Sequence, residues 1–394
     1  MLQKVTFIVN YNMYESKRYF THHLAKALQN KGIDTRIVDV QEKPLGAEIV
    51  KSVQRDKPDL TCSFNTLLPI SENKFLWDFL EIPHLAILVD PALYSVNLTN
   101  SPYSILSCVD RFDCEAIRQQ SFENVFFWPH AVEKELDYQP GQDRPYDVVF
   151  LGSCYDYESL RASWQQQNPA PINKVLDDAI DIFMADPKVP LTEALVNAWN
   201  ASQLDPAEVD FMTLFFYLDN YTRGKDRVEL IRAVKDAKVH VFGDLAEDGA
   251  LGKFSWPHYL TSQSNVTIHP QVPFRAALDI LKQSKICLNS MPFFKNGSHE
   301  RVLASLACGA LPITTDNIYF KEVFKEGQEL VFYRSNQWDE VNATVNTFLA
   351  DEKKRQAIAA EGRKKVMQEF TWDRRVDQLL QELPAIFGRI QGAE

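Results

Sequence analysis

Short apolar runs alternate with stretches of helical periodicity along this chain. Residues 5–9 form one such run. Residues 16–29 follow, where Tyr19, Phe20, His23, Leu24 and Leu28 recur at the spacing of one helix face. Lys31-Gly32 ends that helix, and a second apolar run begins at once over 35–40. Strand, helix, strand in so short a span is the unit from which parallel sheets are built. Further segments at 60–64, 84–89, 104–109 and 124–128 repeat the pattern and predict a doubly wound first half.

At residues 133–145 the chain turns polar and carries Pro140, Gly141 and Pro145, the composition of a linker. The domain boundary is expected there, with one domain over 1–140 and another over 146–370. The second opens on a strand at 147–151 that runs into Gly152-Ser153. It continues as mostly helix from 160 to 237, read as a helical insertion over about 165–236. Strands resume at 239–242, 266–268, 286–288 and 311–314, with helices over 274–283 and 300–307 between them. Phe211, Leu214, Phe215 and Leu218 share a face and read as core. The tail, 371–387, places Val376, Leu379, Leu380 and Leu383 on one face of a last helix.

Composition narrows the class. The 394 residues are 45% hydrophobic and 24% charged, which excludes disorder, collagen and coiled coil and suits two α/β cores with a cleft between them. A net charge of -11 disfavours nucleic acid as a partner. No run approaches the ~20 apolar residues of a membrane span. The start, Met1-Leu2-Gln3-Lys4, enters a strand without the layout of a signal peptide. A cytoplasmic protein is expected, with peripheral membrane contact left open. The six cysteines form no CxxC pair and mostly sit in apolar runs, as reduced buried thiols do.

Open parallel sheets bind ligands beyond the carboxyl ends of their strands, where helix N-termini attract anions. Gly152 and Ser153 end one such strand. A stronger candidate is the loop from Asn289 through Lys295, Asn296, Gly297, Ser298 and His299 to Arg301. There the amides of Gly297 to His299 would meet a diphosphate at the start of a helix, and Lys295 or Arg301 would add charge pairing. Lys285 and Arg161 stand behind them as further cations. On the other side of the cleft, Asp90 ends a strand before Pro91 and His130 follows the strand at 124–128. Either is a candidate general base. No convincing Asp-x-Asp stands at a strand end.

The segment Gly297-Ser298-His299-Glu300-Arg301-Val302-Leu303-Ala304-Ser305-Leu306-Ala307-Cys308-Gly309-Ala310, with the strand after it, resembles the donor-binding core of CgeB-like glycosyltransferases, relatives of the GT-B sugar transferases. Residues 147–153, 269–274, 284–289, 322–324 and 370–375 resemble later and earlier landmarks of that family. The first half adds Val89-Asp90-Pro91 and Pro129-His130-Ala131. The resemblance implies two facing Rossmann-like domains. A nucleotide-sugar, UDP-, GDP- or dTDP-linked, is held by the second, and a glycan, lipid-linked or protein acceptor by the first. It also implies that the tail, 371–394, crosses back to the first domain, and that no cofactor or metal is needed. Retaining relatives often place glutamates eight residues apart, where this chain has Asn296 and Ala304; Asn296 could hydrogen-bond a sugar hydroxyl, while either Glu300 or Glu322 takes the ribose contact in place of Ala304 or that contact is absent. A catalytically silent nucleotide-sugar or partner-binding relative and a nucleotide-sugar epimerase stand as alternatives.

Overall fold

The computed structural model describes residues 2–10, 14–40, 47–65, 67, 69–71, 74–202, 204–205, 210–243 and 255–392, of which 47–49 by backbone alone. Its first sheet contains β1 (Lys4–Val9), β2 (Asp34–Asp39), β3 (Leu60–Phe64), β4 (His84–Leu88), β5 (Ser104–Cys108) and β6 (Val125–Phe127). All pairings are parallel, in the order β2-β1-β3-β4-β5-β6. The second contains β7 (Tyr146–Leu151), β8 (Val239–Gly243), β9 (Val266–Pro270), β10 (Ser284–Asn289), β11 (Leu311–Thr315) and β12 (Val331–Tyr333). It is parallel throughout, in the order β12-β11-β10-β7-β8-β9.

The expected α/β architecture of two parallel sheets is present. Its cause shows in the burial: β3, β4 and β5 are buried at every position, because crossover connections cover both faces of a parallel sheet. Strand order reverses between β1 and β3 in the first sheet and between β7 and β10 in the second. Ligands of open sheets lie beyond the carboxyl ends at such reversals. β12 was not among the expected strands, since three residues are too few to show a period.

Two features position the cleft. The tail helix, Trp372–Gly392, packs Trp372, Val376, Leu379 and Leu383 into the core formed by Val5, Phe7, Phe20 and Leu24 of the first lobe. The chain is tied there by Val132 N donating to Phe370 O at 2.8 Å and Trp372 N to Val132 O at 3.1 Å. Between β7 and β8, helices Tyr157–Gln167, Ala170–Ala185, Leu191–Ser202 and Phe211–Ala233 pack on the second lobe. The last of these buries Leu214, Phe215 and Leu218, and, further along, Arg223, Asp226 and Arg227. At Gly224 a Cβ would stand 2.7 Å from the Tyr155 carbonyl, so glycine lets this helix approach the strand-end loop after β7. All six cysteines are free and buried. Among the described residues no helix is long and apolar enough to cross a membrane.

Candidate active site

A cavity of about 280 Å³ opens between the lobes. Lys17 and Phe20 of the first helix, Asp90 beyond β4 and His130 beyond β6 form one wall; Gly152, Ser153, Arg223, Arg227, His299 and Arg301 form the other. It shares Tyr14, Ser16, Gly152, Glu300 and Arg301 with an apolar recess lined by Leu151, Phe242, Val272, Phe274, Leu278 and Ala304. A charged chamber beside an apolar one is the surface that a nucleotide presents in reverse.

The charge comes from arginines on two helices. Arg301 stands on the first turn of helix Glu300–Ala307, where its Nη1 donates to Asn289 Oδ1 at 3.2 Å. Asn289 is fully buried and donates in turn to Thr314 Oγ1 at 2.8 Å, so it orients the guanidinium and does not itself face the cleft. Arg223 and Arg227 lie one turn apart on helix Phe211–Ala233. Arg223 pairs with Asp219 at 2.7 Å and stacks 3.6 Å over Phe293. Arg227 donates to Ser153 O at 2.8 Å and packs over Tyr155, but among the described residues it has no carboxylate partner and its buried Nε has no hydrogen bond. Burial, and then the positive charges of Arg301 and Arg223, push its pKa down. An unpaired buried guanidinium costs several kcal/mol unless an anion reaches it.

The helix that carries these arginines is held by Asp226, a fully buried carboxylate. It accepts from Ser290 Oγ at 2.6 Å, Tyr333 Oη at 2.5 Å and Trp338 Nε1 at 2.9 Å. These bonds tie the insertion to β10, β12 and the loop beyond.

The two histidines stay neutral. His299 caps its own helix, Nδ1 accepting from Arg301 N at 3.2 Å. Burial first, and then the neighbouring Arg301, His130, Arg227 and Arg223, hold its pKa well below the usual imidazole value. His130 is buried, and burial lowers its pKa as well. Its backbone amide donates to Ser298 Oγ at 2.8 Å, and the same hydroxyl lies 3.0 Å from Nδ1. Its Nε2 lies 3.7 Å from Glu300 Oε2, and the ring lines the interlobe cavity, as expected of it from the sequence. Asp90 is exposed at the cleft, accepts from Asn65 Nδ2 at 2.8 Å and keeps a face toward the cavity.

One amide of the expected cradle is already taken: Ser298 N donates to Val109 O at 2.9 Å. Next to it Asn296 N donates to Asp110 Oδ2 at 2.9 Å. Gly297 forms an antiparallel bridge with Asp110, and a Cβ there would lie 2.4 Å from the Val109 carbonyl. Residues 296–298 therefore join the lobes, and the Asn296 and Ser298 amides are not offered to a ligand. Gly152 lines both chambers, while its amide donates to Phe242 O at 3.0 Å and its carbonyl accepts from Trp256 Nε1 at 2.9 Å. Ser153 does reach the cleft, where its hydroxyl hydrogen-bonds with Tyr14 Oη across the lobes.

Four expected charges lie elsewhere. Lys295 is buried against the end of helix Ala170–Ala185, donating to Phe183 O at 2.9 Å and Asp186 O at 3.2 Å. Burial pushes its pKa down to about 8. Lys285 sits at the amino end of β10 and pairs with Asp147 at 2.6 Å, a strand's length from the cleft. Glu322 is half exposed and pairs with Arg111 at 2.6 Å, bridging the lobes outside the cavity. Arg161 pairs with Asp177 at 2.6 Å within the insertion.

Two facing parallel-sheet lobes, a cationic chamber at the strand reversals between them and a tail helix crossing back define the GT-B fold of sugar transferases. Residues 225–381 match the family model described as glycosyl transferase-like. No curated protein matches the chain. Among solved structures it is similar to Anabaena Alr3699/HepE in complex with UDP and glucose, at 12% identity and a TM-score of 0.56 over 97% of this chain and 100% of that one. A sucrose-phosphate synthase from Thermosynechococcus elongatus is similar at 10% identity and a TM-score of 0.58, over 98% and 99%. A glycosyltransferase from Rickettsia africae ESF-5 is similar at 10% and 0.55, also over 98% and 99%. The chain thus carries a glycosyltransferase-like domain on a GT-B fold.

Proposed function

We propose that the protein transfers a sugar from a nucleoside-diphosphate sugar to an acceptor hydroxyl. The observation that carries this reading is the convergence of Arg223, Arg227 and Arg301 on one interlobe chamber, with Arg227 paired to no carboxylate among the described residues. Cleaving the glycosidic bond to a diphosphate leaves that group with an added negative charge. Guanidiniums fixed in a partly dry cleft stabilise that charge without reorganising. The base is assigned to the apolar recess beside them, and Glu300, which lines both chambers, accepts the ribose hydroxyls in place of a carboxylate at Ala304.

On this reading residues 146–370 hold the donor, and residues 1–140 with the tail form the acceptor side. The acceptor, a glycan, lipid-linked or protein hydroxyl, enters through an open groove lined by Asn65, Asp90, Tyr94, Phe216 and Asn220, and Asp90 takes its proton. The positive charge at the diphosphate is guanidinium, and transfer proceeds without a bound metal. UDP is the first donor to try, ahead of GDP and dTDP, because the HepE structure holds UDP and glucose. The likeness of 297–316 to the CgeB-like group and six buried free thiols support a cytoplasmic enzyme of that group.

Incubation with UDP-, GDP- and dTDP-glucose and simple glycoside acceptors tests the reading. Release of nucleoside diphosphate that Arg301→Ala abolishes supports it. Ala304 favours a second reading, a silent relative, which tight nucleotide binding without turnover would establish. An isomerised donor formed without acceptor would establish an epimerase.

A further inference from the structure

A second cavity, of about 360 Å³, lies beyond the carboxyl ends of β11 and β12, against the end of helix Ala170–Ala185. No lining residue is shared with the interlobe chambers. Its charged groups are Lys295, Lys321, Arg334 and Asp316. Asp316 is paired with Lys321 at 2.6 Å, and with Asp226 and Asp186 it also acts on Lys295. Lys295 is only 5% exposed; two of its three protons go to the carbonyls of Phe183 and Asp186, which leaves one donor. Arg334 has no carboxylate partner among the described residues. The Ser335 hydroxyl beside it is buried and makes no hydrogen bond.

A buried hydroxyl without a partner, a buried ammonium with a donor to spare and an exposed guanidinium around one hollow offer several donors to an anion with several acceptor oxygens. We propose that this cavity is a second binding site, for a small phosphorylated molecule. The phosphate would take Arg334, Lys295 and the Ser335 hydroxyl. The amide-bearing Asn336 and Gln337, with Thr315, suit the hydroxyls of a polar body attached to it. At about 360 Å³ the space is near the lower end of the ~300–1,000 Å³ typical of small-molecule sites, large enough for a sugar phosphate.

Isothermal titration with inorganic phosphate, glucose 6-phosphate and glucose tests the site in the full chain, comparing the wild type with Arg334→Ala, Ser335→Ala and Arg227→Ala. We expect phosphate and glucose 6-phosphate to bind and glucose not to. Arg334→Ala should weaken both about tenfold or more, and Ser335→Ala by a smaller factor. Arg227→Ala, which alters the interlobe chamber, removes any anion bound there and should leave the Arg334-dependent binding unchanged. Tighter binding of glucose 6-phosphate would assign a phosphate monoester, and equal affinity the free anion; both support the site. Binding that Arg227→Ala removes and Arg334→Ala does not would overturn it, as would no binding of either anion at millimolar concentration. Because the cleft variant is the control, the outcome does not depend on whether the protein transfers sugars.

Discussion

Replacing Arg227 by alanine separates a ligand clamp from a structural arginine. The side chain is 5% exposed, and its protein partners are the Ser153 carbonyl at 2.8 Å and the Tyr155 ring. Their loss is set against relief of its repulsion by Arg223 and Arg301, the charges that with burial already depress its pKa. The free protein should therefore lose little stability. A nucleoside diphosphate, by contrast, loses a charge-assisted contact of roughly 1.5–3 kcal/mol, which weakens UDP about 10- to 150-fold. At a UDP concentration about 100 times the wild-type Kd, the ligand stabilises the wild type by about 2.7 kcal/mol; a thirtyfold weaker variant would keep about 0.9 kcal/mol. Denaturant unfolding with and without UDP reads both quantities. Equal UDP stabilisation in the two proteins would refute the clamp. So would a free variant several kcal/mol less stable with its UDP response intact.

Other expectations follow from the same geometry. Asp90→Asn should lower kcat by about 10²- to 10⁴-fold while leaving UDP affinity in place, and unchanged turnover would remove Asp90 from the chemistry. Gly297→Ala puts a methyl group 2.4 Å from the Val109 carbonyl; it should cost about 1–3 kcal/mol and loosen the lobes, seen as a lower melting temperature. His84 is buried between Thr61 and Ser63 and stacked on Trp77, and burial pushes its pKa down to about 3. The unfolded chain then binds the extra proton, so stability is full above the ordinary imidazole value and falls as pH drops from about 6.5 toward 3, by up to ~1.4 kcal/mol per unit. His84→Gln should flatten that slope, and a slope unchanged by the substitution would assign it elsewhere. Turnover should survive a chelator such as EDTA, and loss restored by added divalent cation would contradict the guanidinium account.

Much of the fold could be read from periodicity. The runs that became β1, β3, β4, β7 and β10 are apolar because both faces of a parallel sheet are covered, and the helices between them keep a 3.6-residue period. Arg301 was legible because it follows a strand and a polar loop. Arg223 and Arg227 were missed, because a long insertion with Leu214, Phe215 and Leu218 on one face reads as packing helix. The available signal was Asp219, Arg223, Asp226 and Arg227 at spacings of four, seven and eight residues, charged groups continuing an apolar face. The amides of Asn296 and Ser298 illustrate what a sequence window omits: their partners are Asp110 and Val109, nearly two hundred residues earlier. Lys295 is a similar case, since only the packed insertion brings the Phe183 and Asp186 carbonyls to its ammonium.

If the interlobe arginines hold a diphosphate, titration with uridine, UMP and UDP at fixed ionic strength will show it. Each added phosphate should tighten binding, with UDP about 100-fold or more above uridine if two charge-assisted contacts of ~1.5 kcal/mol form, and Arg227→Ala should erase most of that ladder. Uridine binding as tightly as UDP, or a ladder untouched by the substitution, would contradict the account.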